Sequence, residues 1–288
     1  MTDGKVLYCS FGSFGVYAYD LEGEPLWSHD FEIKARMRRQ FGEGAAPALA
    51  NGVLVFNFDQ EEQSFAAALD AETGKELWRV ERDEPTSWTT PLPLLDQEPA
   101  QVVLAATNRI RSYGLSDGKL LWECGGLGLN AIPMPLRSGD LLLAQTGYRE
   151  PNCIAVRLGG EGDLTGGDAV VWSTSENTAY TASPVLHEGT YYFVTDRGQI
   201  SALDAMTGEV HYSGERLPRG SRLKASPILV GNHLYIATEE GFVNVVPAGP
   251  EYSIAGSNRL GEQVFIASPI AVGDSLYLRS EEGLLCVR

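Results

Sequence analysis

Histidine, cysteine and paired carboxylates are the side chains that most often carry chemistry, and this sequence keeps them apart. The histidines are His29, His187, His211 and His233. Two fall on outer strands and two beside the first tight turns of the repeat described below, so no histidine cluster is expected. The cysteines, Cys9, Cys124, Cys153 and Cys286, make no CxxC and no adjacent pair. That excludes zinc-ribbon and thioredoxin-type sites. The wide spacing leaves one or two disulfides open and favours buried free thiols. Nucleophile-elbow, dinucleotide-binding and P-loop signatures are absent. The acid pairs Glu239-Glu240 and Glu281-Glu282 each precede a glycine, which fits solvated turn charges better than a cation site. The Gly-Asp-rich stretch Leu158 to Trp172 lacks EF-hand ligand spacing and reads as a longer outer hairpin. No catalytic residue and no metal ligand are predicted.

What remains is a set of polar and aromatic residues, and a repeat supplies the elements that position them. Prolines recur at Pro47, Pro91, Pro135, Pro184, Pro227 and Pro269, and aromatic residues at Trp27, Trp78, Trp122, Trp172 and Tyr212. Both markers share a period near 43. The clearest unit, Ser183 to Ser213, divides at Glu-Gly, Asp-Arg-Gly and Met-Thr-Gly turns into four short strands. Four strands every 40–50 residues is the pattern of a propeller blade. A proline opening the inner strand costs no ladder bond there, and helical periods of ten or more residues are absent, which argues against α/β folds.

The predicted fold is therefore all-β, a β-propeller of four-stranded blades with seven units visible. The first (Lys5 to Asp30) and last (Ile266 to Arg288) have three strands each, and three plus three do not merge into one blade. The sequence reads as a single domain, 1–288, truncated at its N-terminus and part of an eight-bladed ring; an open or seven-bladed ring is the rival.

Composition narrows the partners. The chain has 288 residues, 43% hydrophobic and 21% charged, an ordinary globular balance. No apolar run is long enough to span a membrane as a helix. With 22 Lys and Arg against 38 Asp and Glu, the net charge is −16, which repels phosphate backbones and makes nucleic acid a poor partner. Residues 1–12 contain no basic segment followed by an apolar one, so no signal peptide is read in this chain.

In a ring of such blades, the loops after each second strand and the connectors between blades emerge on one face. The first and third hairpins emerge on the other, where the turns are short. Unusual residues concentrate on the first face. The connector Phe31 to Pro47 gathers Arg36, Arg38, Arg39 and Gln40 in an acidic protein. Asp59 and Gln60 open the next loop, Trp88 sits in a connector, and Asn108, Arg109 and Asn130 follow. Tyr148-Arg149, Tyr180, Asp196-Arg197 and Lys224 hold matching places later in the chain. These residues are predicted to line a funnel mouth that binds a protein, peptide or small-molecule ligand.

The segment ALDAETGKELW, Ala68 to Trp78, resembles the AxDxxxGxxxW docking motif of the PQQ-like, quinoprotein-type propeller repeats. Looser copies run from Ala18 to Trp27, Ser112 to Trp122 and Ala202 to Tyr212. Gly114 replaces the motif's Asp and Tyr212 its Trp, and the sixth unit has lost it. The resemblance implies structural docking roles for Trp27, Asp70, Gly74, Trp78, Trp122, Trp172, Asp204, Gly208 and Tyr212. Trp88 stands outside the motif. Redox members of the family hold pyrroloquinoline quinone and calcium beside a vicinal Cys-Cys disulfide and an Asp base. This chain has no Cys-Cys pair and no CxxCH, so no cofactor is expected. The resemblance then implies a non-catalytic binding or scaffold propeller, like the quinone-free lipoprotein scaffold of outer-membrane barrel assembly, exported to the periplasm or cell surface. The alternative is a quinone- and calcium-dependent dehydrogenase with an atypical funnel built around Trp88 and Asp59.

Overall fold

The structure is a computed structural model describing residues 1–220 and 222–288. Proline opens the architecture six times. Pro47, Pro91, Pro135, Pro184, Pro227 and Pro269 each stand immediately before an inner strand, the first residues of which are Ala48, Leu92, Leu136, Val185, Ile228 and Ile270. From there the chain meanders outward through antiparallel neighbours, with strands paired in sequence order. Blade 2 is typical: Ala48–Ala50, Val53–Phe58, Ser64–Asp70 and Glu76–Arg82. Blades 4, 5 and 6 also have four strands, and blades 1 and 7 have three. No α-helix occurs among the described residues; short 3-10 turns lie at Gly12–Phe14 and Arg38–Gln40.

Blade 3 departs from expectation. The insertion after Leu158 does not form a hairpin of its own. Its strand Gly162–Asp163 runs parallel to the outer strand Leu120–Gly125, with Gly162 opposite Trp122. The edge of blade 3 offers unpaired backbone, and the insertion takes it. Leu164 N–H donates to Glu123 O (2.8 Å), and Gly125 N–H to Thr165 Oγ1 (2.8 Å). An exposed strand edge is thereby covered.

The chain packs as two compact units, Met1–Pro135 with Gly159–Ala169, and Leu136–Leu158 with Val170–Arg288. Within each, the core is a series of layers between successive blades. In the first unit Leu54, Phe56 and Phe58 join Tyr8, Val16 and Phe31 on one side of blade 2. Val55 joins Val102 and Leu104 on the other. A strand buried on both faces must read as a nearly continuous apolar run, as VLVFNF does but for Asn57, whose amide donates to Ser87 Oγ and Thr89 O. Ala66, Ala67 and Ala68 are fully buried beside it, and their small side chains let both neighbouring sheets approach. In the second unit Tyr191 and Phe193 pack with Leu141 and Leu143, and Tyr192 and Val194 with Leu234 and Ile236.

The motif tryptophans lock these layers. Trp27 Nε1 donates to Ala71 O (3.1 Å), Trp78 Nε1 to Leu115 O (2.9 Å) and Trp172 Nε1 to Ala205 O (3.1 Å). In each case the acceptor is the residue after the motif's third position in the next blade, and the indole covers a glycine there: Gly74, Gly118 or Gly208. A Cβ on Gly74 would stand 2.4 Å from the Trp27 ring, and its φ of +70° independently favours glycine. Burying about 200 Å² of indole at about 25 cal/mol/Å² contributes about 5 kcal/mol as an upper bound. Asp70 Oδ1 holds the turn by accepting from Thr73 N and Oγ1 (2.8 and 2.6 Å), as Asp204 does with Thr207. Gly114 cannot do this. Asp117 Oδ1 stands in, 2.3 Å from where a Gly114 Cβ would be, and accepts from Lys119 N–H at 3.0 Å. Trp122 differs again, its Nε1 bonding Gln101 Oε1 of its own blade (3.1 Å).

Candidate functional site

In the first unit, the connectors and second-strand loops interlock. The connector after Phe31 is laid down by its backbone: Arg36 N–H donates to Gln60 Oε1 (2.7 Å), and Arg38 N–H to Thr86 Oγ1 (2.9 Å). Arg36 O accepts from Glu61 N–H (2.9 Å). Glu61 Oε1 in turn accepts from Thr86 Oγ1 (2.8 Å). The next connector is fixed the same way. Trp88 N–H reaches Ala131 O (2.8 Å), and its indole N–H reaches Gly42 O (2.8 Å).

Two consecutive residues on this rigid connector, Arg39 (φ +49°) and Gln40 (φ +58°), adopt the left-handed conformation. For side chains with a Cβ that conformation costs of order 1 kcal/mol each. Their side chains, with Phe41, point to solvent, and Phe41 is 62% exposed. Its ring lies 6.4 Å from half-buried Trp88. Nearby acids are spent elsewhere: Glu62 on Arg36 (3.3 Å), Glu43 on Ser13 N–H (2.7 Å) and Glu61 on Thr86. Among the described residues no carboxylate pairs with Lys34, Arg38 or Arg39.

Beneath these loops runs a chain of buried charges. Asp59 and Arg82 are sealed from solvent and doubly bonded, and Ser87 Oγ donates to Asp59 Oδ2 (2.6 Å). Arg82 Nη1 continues to Tyr113 Oη (2.8 Å). Glu84, also sealed, accepts from Asn108 N–H (2.7 Å), Arg109 N–H (3.1 Å) and Arg111 Nη1 (2.8 Å). Burial pushes its carboxyl up to about 7, opposed by Arg82 and the Asn108 N–H. Arg111 also pairs with Glu123 and Asp83, and Arg109 pairs with Glu123 and Asp163.

The structure thus distributes the residues singled out from sequence. Arg39, Gln40 and Trp88 come together on the surface with Phe41, which the sequence reading passed over. Asp59 and Gln60 are buried and fully engaged, Gln60 also donating to Gln63 O (2.8 Å). Asn108 anchors on Asp83 O (2.9 Å), and Arg109 is spent on its carboxylates. Asn130 is buried with φ +60° beside Ala131. In the second unit, Tyr180 stacks on Tyr148 (5.2 Å, 24°) and Arg149 lies over Tyr148 (5.8 Å). Asp196 accepts from Thr181 N–H and Oγ1 (3.0 and 2.8 Å) and from the Lys224 ammonium. Arg82, Glu84 and Arg111 were missed. Their signal was period two: Arg82 shares the Trp78 and Val80 face of its strand, so it had to be buried and therefore paired.

Repeated antiparallel meanders locked by indole-on-glycine contacts define a quinoprotein-type β-propeller. The sequence matches the family described as Outer membrane protein assembly factor BamB over residues 12–163 and 162–248, and the chain belongs to that family. It is 28% identical over 173 residues to the Outer membrane protein assembly factor BamB of Alkalilimnicola ehrlichii. The match covers 57% of this chain and 42% of that protein's length. The crystal structure of BamB from Moraxella catarrhalis superposes with a TM-score of 0.74 at 15% identity, covering 98% of this chain and 81% of that one. The computationally designed Ika8 protein gives 0.62 at 13% identity, covering 99% and 94%. At such identities these structures show the fold alone.

Proposed function

We propose that this chain is a non-catalytic scaffold that binds a protein partner through the loop face of its first unit. One observation carries the reading. The connectors are pinned by their backbones while Arg39, Gln40 and Phe41 are exposed and Arg38 half-buried beside them, which is how a preorganised binding surface is built. Family membership supports the same class, since the relatives are outer membrane protein assembly factors by name. On that footing the partner belongs to envelope assembly and the protein works outside the cytoplasm.

One observation counts against a quinone-dependent dehydrogenase that uses Asp59. Asp59 is closed off by Arg82 and Ser87, so it offers no free base.

The test is a photo-cross-linking residue at Gln40, compared with one at Asn51 in the first turn of blade 2, in cells that express the protein. A discrete protein adduct from position 40 and none from 51 is expected. Equal labelling from both positions, or saturable binding of pyrroloquinoline quinone with calcium that Trp88→Ala abolishes, would overturn the reading.

A further inference from the structure

We infer that the surface around Arg38, Arg39, Phe41 and Trp88 recognises an extended acidic segment of the partner with an apolar side chain set between its carboxylates. This rests on the scaffold reading above and names the partner's chemistry. Charge comes first. Lys34, Arg36, Arg38 and Arg39 fall within six residues of a chain whose net charge is −16, and every nearby acid but one is consumed by a backbone donor, a hydroxyl or Arg36. The exception among acids in that connector's own run, Glu32, precedes Lys34 in the left-handed region and pairs with none of the three free cations. The guanidinium groups of exposed Arg39 and half-buried Arg38, a group that suits bidentate capture of carboxylates, are therefore left uncompensated among the described residues.

Geometry comes second. Phe41 is 62% exposed, and its ring tilts against Trp88 at 6.4 Å. The indole N–H is already occupied by Gly42 O, so the Trp88 ring offers apolar surface and no donor. An aromatic pair on the connector that carries Arg38 and Arg39 suits one large apolar side chain with acids next to it. Strain comes third. Arg39 and Gln40 keep left-handed backbones where glycine would relieve the cost, while Gly42, two residues on, has φ +86° at no such cost. Keeping cationic and amide side chains in that conformation is consistent with their being used. Nucleic acid, the other polyanion, is disfavoured by the charge of the rest of the molecule.

Fluorescence anisotropy with a labelled Glu-Asp-Phe-Glu-Asp peptide tests the inference on the whole chain. Binding should saturate, weaken steeply with salt, and weaken about tenfold or more in Arg38→Glu/Arg39→Glu. A Gln-Asn-Phe-Gln-Asn peptide should bind as poorly as the acidic peptide does to that variant. Replacing the peptide's Phe by Ala should cost severalfold. Arg39→Gly supplies a second readout: its Tm should rise, because strain is released, while its peptide binding falls. Equal binding of the acidic and amide peptides, retained binding in the double variant, or an Arg39→Gly protein with unchanged affinity would each overturn the assignment. If cross-linking from position 40 persists while the acidic peptide fails, the scaffold stands and the acidic chemistry falls.

Discussion

Arg82 and Asp59 meet entirely out of solvent, Nε to Oδ1 at 2.7 Å and Nη2 to Oδ2 at 3.1 Å, with neither side chain exposed. The pair ties the outer strand of blade 2 to the loop that follows its second strand. Removing one partner strands the other charge. Asp59→Ala or Arg82→Ala alone should each cost about 3–5 kcal/mol. The double variant should cost far less than their sum, because the uncompensated charge is gone. Urea unfolding of the two singles and the double gives the coupling energy directly. Additive costs would mean that the pair contributes only packing.

Glu84 makes stability depend on pH. Its folded carboxyl titrates near 7 against an ordinary value of 4.5, because burial disfavours the charge. Between those values the folded state therefore holds the extra proton, and stability falls as pH rises from 4.5 to 7, levelling off above. The full change is of order 3 kcal/mol. Glu84→Gln should lose some stability at every pH, since its Nε2 replaces one of the two oxygens that accept from Asn108 N–H, Arg109 N–H and Arg111 Nη1, and should flatten the slope. Unfolding free energies at pH 5, 6, 7 and 8 check this; parallel slopes in the two proteins would refute it.

The two aromatic docking residues Trp78 and Tyr212 should respond oppositely to truncation, Trp78 losing its whole ring and Tyr212 only its hydroxyl. Trp78 Nε1 holds Leu115 O, and its ring fills the space over Gly118. Trp78→Ala should cost about 3–5 kcal/mol. Among the described residues the buried Tyr212 hydroxyl has no hydrogen-bond partner, and burial pushes its pKa up. Tyr212→Phe removes an unsatisfied group without opening a cavity, so it should be neutral or stabilising by up to about 1 kcal/mol. Thermal unfolding distinguishes these, and a clear loss on Tyr212→Phe would show that the hydroxyl has a partner.

Much of the fold was legible because backbone constraints are written in residue type. Pro47 and its five counterparts suit the position just before an inner strand, and Gly74 suits a turn whose φ is positive beneath an indole. The three-stranded first and last units were readable for the same reason. The path of Gly162–Asp163 was not, because a parallel bridge of two residues carries no hydrophobic period. The site was half legible. Arg39, Gln40 and Trp88 stood out by type in an acidic chain. Asp59 and Arg109 looked equally available, yet Arg82, Asp163 and Glu123 claim them. Which charges stay free depends on which strands lie side by side, and a linear pattern does not state that.

The cysteines give an independent check on both units. All four are free thiols. Cys286 is exposed, Cys9 half-buried, and Cys124 and Cys153 buried. Burial pushes the Cys153 thiol up to about 12 and raises Cys124 as well. Since the thiolate is the reactive form, a disulfide reagent at pH 8 should label Cys286 fast and Cys9 more slowly in the native protein. Cys124 and Cys153 should react only on unfolding. Cys153 lies in the core that Tyr191 and Phe193 share with Leu141, so its labelling rate should track the opening of the second unit and fall with added stability. Cys124 belongs to the outer strand that the insertion covers, and its rate should rise on its own when Gly162 is replaced by proline, which alters that strand's backbone. Fast labelling of three or more cysteines in the native state would contradict the packing of both layers.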